Sequence, residues 1–268
     1  MPSFTRHGQT MHYQDVGQGP VILFGHSYLW DSHMWQPQVA ELSKSYRCIV
    51  PDLWAHGESQ SLPTQTRTLS DYAADLLALM DHLDVEQFSI VGLSVGGMWG
   101  AELTSLAPAR VKSLVLMDTF VGLEPEVTHA KYFSMLNTIG EKAQVPAPLV
   151  EAIVPLFFSD APAEELKQNF AAYLSALEGQ AAKDVAQVGR MVFGRRDQFE
   201  ALENFALPVL IAVGQQDKPR PVFESYLMND AITGSELVVV PNAGHIANLE
   251  NPQFVTDMLT GFLAKVYA

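Results

Sequence analysis

The chain has 268 residues, 48% of them hydrophobic, which is enough to bury a substantial core as one domain or as one domain carrying an insertion. With 16 Lys and Arg against 30 Asp and Glu, the formal charge of -14 repels phosphates and argues against nucleic acid or an anionic membrane surface as partner. The single cysteine, Cys48, excludes an internal disulfide, no run is long enough to span a bilayer, and Met1 to Gly8 lacks the apolar stretch of a signal peptide. A cytoplasmic protein without membrane insertion is the expectation.

Residues 3 to 17 alternate around Gly8 and predict a hairpin, followed by a fully buried strand over Val21 to Phe24. Met34 to Leu42 has a helical pattern, and Arg47 to Asp52 a strand pattern. Thr68, with Asp71 three positions on, forms an N-cap box that opens a helix through about Leu83. Strand 87–92, helix 96–106 and strand 111–117 follow, an alternation that demands a parallel sheet with helices on both faces. Strand 208–213, helix 222–231, strand 236–240 and a terminal helix over Phe254 to Val266 complete it. Between Phe120 and about Phe205 there are only amphipathic helical segments, punctuated by Pro125, Pro146, Pro148, Pro155 and Pro162. This stretch reads as a helical cap over the carboxyl edge of the sheet, and some of its apolar residues, among them Met135, Leu136, Phe157, Phe170, Tyr173 and Phe193, should line a pocket.

Three separate segments carry the chemistry. Gly92-Leu93-Ser94-Val95-Gly96 stands where the β-branched run Phe88 to Val91 stops and a small-residue helix begins. A strand that turns into a helix in about one residue strains its central serine, and the glycines on either side let neighbouring backbone pass close; the pattern is a nucleophile elbow. Asp217 lies in a loop beyond the strand Pro208 to Gly214, and His245 in a loop beyond the strand Leu237 to Val240. In an open parallel sheet all carboxyl ends point one way, so Ser94, Asp217 and His245 can meet at one edge. Asp118, at the end of strand 111–117, is the rival acid. The remaining histidines show no metal-ligand spacing.

Over nearly its whole length the chain resembles the α/β-hydrolase superfamily, in its serine-nucleophile branch. The order serine, acid, histidine is the one that family uses. Gly25-His26-Ser27-Tyr28 resembles the family's oxyanion loop, Asp52-Leu53-Trp54-Ala55-His56-Gly57-Glu58-Ser59 its DxRGHGxS loop, and Gly244-His245 with Glu250-Asn251-Pro252 its GHxxxxExP ending. The departures are Ser27 in place of glycine, and Trp54 and Ala55 in place of arginine and glycine. A serine at the elbow argues against the branches whose nucleophile is an aspartate.

The resemblance implies an α/β-hydrolase core over residues 1–120 and 206–268, a mostly parallel, doubly wound sheet, with a helical cap inserted after the sixth strand over 121–205. It implies Ser94 as nucleophile, His245 as general base, Asp217 as the acid that orients it, and the backbone amides of Tyr28 and Val95 as oxyanion hole. Tyr28, Trp30, Trp54, Phe120 and Ile246 are the expected pocket walls near Ser94, while His26 and His56 are expected to hold loops. No cofactor and no metal is implied, and the expected partner is a small-molecule ester or lactone, as in carboxylesterases and 3-oxoadipate enol-lactonases. Hydrolysis of a carbon-carbon bond, cofactor-free oxygenation or perhydrolysis use the same triad on this fold. A ligand receptor that retains the triad without turnover is the alternative outside enzymology.

Overall fold

The computed structural model describes residues 1–268. Eight strands form one sheet: β1 (Ser3–Arg6), β2 (Gln9–Val16), β3 (Val21–Gly25), β4 (Arg47–Pro51), β5 (Phe88–Leu93), β6 (Val111–Met117), β7 (Val209–Gly214) and β8 (Glu236–Val240). Their spatial order is β1-β2-β4-β3-β5-β6-β7-β8, antiparallel at β1–β2 and β2–β4 and parallel from β4 onward. β5 and β7 are buried along their whole length, which is why their sequences read as unbroken apolar runs rather than alternating ones.

The helices of the sheet are α1 (Gln36–Leu42), α2 (Leu69–His82) and α3 (Val95–Leu106). Between β6 and β7 come α4 (Glu126–Lys142), α5 (Ala147–Phe157), α6 (Glu164–Ala176) and α7 (Gly179–Phe193), and after β7 come α8 (Val222–Ala231), α9 (Ala247–Glu250) and α10 (Pro252–Val266). α1 packs on α10 and α2 on α3. Right-handed crossovers explain the two layers: the connection from β3 to β4 runs one way across the sheet and those from β4 to β5 to β6 run the other, so their helices fall on opposite faces. Ahead of α2, the Thr68 hydroxyl accepts the Asp71 N–H at 3.1 Å and the Asp71 carboxylate accepts the Thr68 N–H at 3.0 Å, the reciprocal cap that the sequence predicts. Two boundaries shift. The segment expected as one helix from Met34 begins as a 3-10 turn over Ser32–Trp35, and the terminal helix starts at Pro252, two residues early, because proline's fixed φ suits the first helical position.

Strand order reverses at β3, which has β4 on one side and β5 on the other. Such a reversal opens a crevice beyond the carboxyl ends of the strands. The register brings those ends level, pairing Gly25 with Gly92, Leu93 with Met117, Met117 with Ala212 and Gly214 with Val240. The loops after β3, β5, β6, β7 and β8 therefore leave from one rim. Beneath it, β3 and the start of α3 touch through bare backbone: a Cβ on Gly96 would stand 2.2 Å from the carbonyl oxygen of Gly25. Gly96→Ala is expected to cost about 1–3 kcal/mol of stability, the usual range for overpacking. An unchanged denaturation midpoint for this variant would mean that the two backbones can separate freely.

Candidate active site

Ser94 sits between β5 and α3 at φ +56° and ψ -117°, a backbone state that non-glycine residues rarely adopt and that the surroundings must hold in place. They do so through hydrogen bonds. The Ser94 N–H donates to Met117 O at 2.8 Å, and its carbonyl accepts from the Thr119 hydroxyl at 2.6 Å and from the Gly97 and Met98 N–H groups at 2.9 and 3.1 Å. With the backbone committed below, the side chain is left to face a cavity above the rim.

His245 follows β8, and its Nδ1 lies 3.0 Å from Oδ2 and 3.2 Å from Oδ1 of Asp217, which follows β7. Both side chains are buried. The remaining order of the carboxylate comes from the Arg220 N–H, which donates to Asp217 Oδ1 at 2.9 Å. Asp118 makes no bond to the imidazole. It follows β6 at φ +46° and accepts the Gly214 N–H at 2.7 Å, and burial, reinforced by the negative charge of Asp217, pushes its carboxyl well above the ordinary range. Ser94 and His245 line the same cavity, and no hydrogen bond joins them in this structure. In unliganded sites such bonds are commonly long and tighten when a substrate is bound.

Two backbone donors at this rim are uncommitted. Neither the Tyr28 nor the Val95 N–H donates to a protein group; Val95 is the first residue of α3, where a helix leaves its N–H groups without partners and its dipole favours negative charge. Ser27 is different. Its N–H meets the Met34 sulfur at 3.3 Å, and its buried hydroxyl has no partner. The Tyr28 phenol donates to Val185 O at 2.9 Å, which anchors the loop after β3 to α7.

His26 and His56 brace that loop. His26 Nε2 accepts the Leu53 N–H at 2.8 Å and His56 Nε2 accepts the Leu29 N–H at 3.1 Å, while their Nδ1 atoms donate to Ser27 O and Trp54 O. Burial lowers both, His56 to about 3, so each ring is neutral at physiological pH and can be the acceptor these bonds require.

The cavity encloses about 80 Å³ and is mostly apolar, with Met98, Met135, Leu136, Ile153, Phe157 and Phe193 among its walls and Ser27, Ser94, Arg220 and His245 as polar members. Of the five wall residues expected from sequence, Tyr28 lines it, and Trp30, Trp54, Phe120 and Ile246 do not. Trp30 stacks on Phe170 at 4.8 Å between ring centroids, and Phe120 packs on Phe199. Trp54 is fully buried and its indole N–H donates to Asp75 Oδ2 at 3.1 Å, because an indole removed from water needs an acceptor. Ile246 is fully buried under the start of α9. Of the cap residues singled out, Met135, Leu136, Phe157 and Phe193 reach the cavity, and Phe170 and Tyr173 do not. The sequence reading missed Arg220, whose only signal was its place three residues after Asp217.

A family model described as the α/β hydrolase fold matches residues 20–252. The chain belongs to this family. Among curated relatives, the 3-oxoadipate enol-lactonase 1 of Acinetobacter baylyi is 27% identical, with 97% of this chain and 96% of the relative covered. An uncharacterized carboxylesterase of Bacillus subtilis is 26% identical, covering 96% and 84%. Among solved structures, a thermophilic esterase from Thermogutta terrifontis superposes with a TM-score of 0.89 at 27% identity, covering 97% of this chain and 95% of the other.

In this α/β hydrolase the four helices between β6 and β7 are tied to the loops of both Asp217 and His245. Glu250 accepts the Gly244 N–H at 2.7 Å, the Ser159 N–H at 3.0 Å and the Ser159 hydroxyl at 2.6 Å, so one carboxylate joins the His245 loop to the turn after α5. On the acid loop, Lys218 donates to Phe158 O at 3.0 Å and Gln216 Oε1 accepts the Asp160 N–H at 2.7 Å. The Phe157 ring meets His245 edge-on at 5.4 Å. No group of three or more His, Cys, Asp and Glu side chains stands together as a metal site, and no helix is long and apolar enough to cross a membrane.

The buried neutral rings give this α/β hydrolase a pH-dependent stability with a definite sign. Unfolding exposes His26 and His56 to water, where they take up protons below about pH 6.5, whereas the folded chain keeps His56 neutral down to about 3. Their contribution is therefore complete above pH 6.5 and is lost as pH falls from there towards 3. The urea midpoint is expected to drop over that window, and the drop should be shallower in His56→Gln; equal slopes in parent and variant would refute the assignment.

Proposed function

We propose that this chain is a serine hydrolase that cleaves a small carboxylic ester or lactone through an acyl-enzyme intermediate. The observation that carries the reading is the buried Asp217–His245 pair, which shares a cavity with a serine held in strained backbone at a strand-to-helix turn. Likeness to an enol-lactonase, a carboxylesterase and an esterase supports an ester-acting hydrolase.

Ser94 Oγ attacks the carbonyl carbon while His245 Nε2 takes its proton, and Asp217, bonded at Nδ1, fixes the ring and stabilises the imidazolium without being protonated itself. The carbonyl π electrons move to oxygen, and the Tyr28 and Val95 N–H groups, uncommitted in the free protein, are assigned to that oxyanion. Collapse of the tetrahedral adduct breaks the bond to the alkoxy oxygen, which leaves with the proton from His245. Water then repeats the sequence against the acyl carbon, His245 again taking and returning a proton, and releases the carboxylic acid and Ser94. Residues 121–205 act as a cap that shapes the acyl site and limits water. A cytoplasmic location is part of the same reading, in keeping with a single cysteine that has no partner for a disulfide within the chain.

Ser94→Ala is expected to abolish p-nitrophenyl ester hydrolysis, by about 10⁶-fold in kcat as for other serine hydrolases, and to prevent labelling by a phosphonate, read as the mass adduct on intact protein. Tight ligand binding with no turnover in the parent would instead return the receptor reading. Asp217→Asn should cost about 10⁴-fold. Asp118→Asn, whose amide resembles the neutral carboxyl that burial favours, should remain within about tenfold of the parent. The reverse ranking would reassign the acid to Asp118.

A further inference from the structure

Arg220 is the only Lys, Arg, Asp or Glu that lines the cavity above Ser94, and it is buried to 2% exposure. A guanidinium in that position would ordinarily be read as a receptor for a carboxylate on the substrate. Its charge is already engaged. One terminal nitrogen donates to Glu124 Oε2 and the other meets Glu224 Oε2 at 3.4 Å. Glu124 also accepts from Arg195 at 3.0 Å, and the side chains of all three residues are almost wholly enclosed. The cluster thus sets two cations against two carboxylates. Although burial works to raise Glu124, the charges of Arg220 and Arg195 outweigh it and hold that carboxyl below its usual range. Burial lifts Glu224 above its own, against the pull of Arg220.

An anionic substrate entering here would lose its hydration and gain no unpaired cation in return. It would also bring its charge close to Glu124 and Glu224. An uncharged substrate pays neither penalty and meets apolar side chains. We propose that the site is selective for uncharged esters or lactones with an apolar acyl part, and that Glu124 and Glu224 enforce this by occupying Arg220. The inference rests on the serine-hydrolase reading and adds to it the class of substrate and two specificity-determining residues that do not touch the reacting atoms.

The test compares p-nitrophenyl methyl adipate with p-nitrophenyl hydrogen adipate at pH 7, two esters of nearly equal length of which only the second is an anion, using the full chain and subtracting the rate of Ser94→Ala. The neutral ester is expected to be favoured by about 100-fold or more in kcat/KM, the scale set by burying one unpaired charge. In Glu224→Gln, which leaves Arg220 bonded to Glu124 but removes one negative charge, that ratio should fall by about tenfold, through a lower KM for the anion. Equal kcat/KM for the two esters in the parent would overturn the substrate class while leaving the serine reading intact. A ratio unmoved in a folded Glu224→Gln protein would overturn the role of the pair. Loss of Ser94-dependent turnover on both esters would overturn the serine reading, and this inference with it.

Discussion

Backbone crossing backbone without side chains between is the constraint on which the site depends. At Gly96 and Gly25 it lets the strand-to-helix turn seat against the end of β3, so that the loop carrying Tyr28 and the helix start carrying Val95 reach the same rim. The same device recurs between the loops of the acid and the histidine. A Cβ on Gly214 would lie 2.0 Å from the Gly244 carbonyl oxygen, and this approach lets Asp217 and His245, from adjacent strands, come within 3.0 Å. Larger residues at these points would push apart the very loops whose side chains have to touch.

Helices α4 to α7 are more than a cover. Glu250, Ser159, Lys218 and Gln216 bind the turn after α5 to the loops that carry Asp217 and His245, and Glu124 joins residues on either side of the inserted helices to Arg220. Arg220 in turn supplies the N–H that orders Asp217. The position of the imidazole and that of the helices above it are therefore mechanically linked, and of the bonds that make the link those of Glu124 to Arg195 and Arg220 are enclosed. Charge-assisted bonds in a low-dielectric setting resist distortion, and removing one partner leaves the other charge buried and unpaired.

Around this frame the titratable groups are divided by burial. His26 and His56 are held neutral and act as fixed acceptors for the backbone N–H groups of Leu53 and Leu29. Asp118, beside Asp217, holds its proton more tightly than an exposed aspartate, which limits like-charge repulsion between the two carboxyl groups. Trp54 gives its indole N–H to Asp75, a carboxylate that also accepts from the Thr66 hydroxyl at 2.6 Å. Ala55 beside it adopts φ +64°, a left-handed state that glycine would enter without strain.

Local pattern alone determined the strands, the helices, the cap of α2 and the elbow at Ser94, because each is written in residues close together in the chain. The position of Asp217 and His245 beyond strand ends was legible for the same reason, once a parallel sheet had aligned those ends. Which aromatic residues line the cavity was decided only by tertiary structure. Trp30 and Trp54 stand next to family motifs in sequence, yet one stacks on Phe170 and the other turns to Asp75, since the direction of a side chain follows from partners distant in the chain. The engagement of Arg220 by Glu124 was hidden in the same way: 96 residues separate them, and no period or spacing encodes a contact made where two independent loops happen to meet.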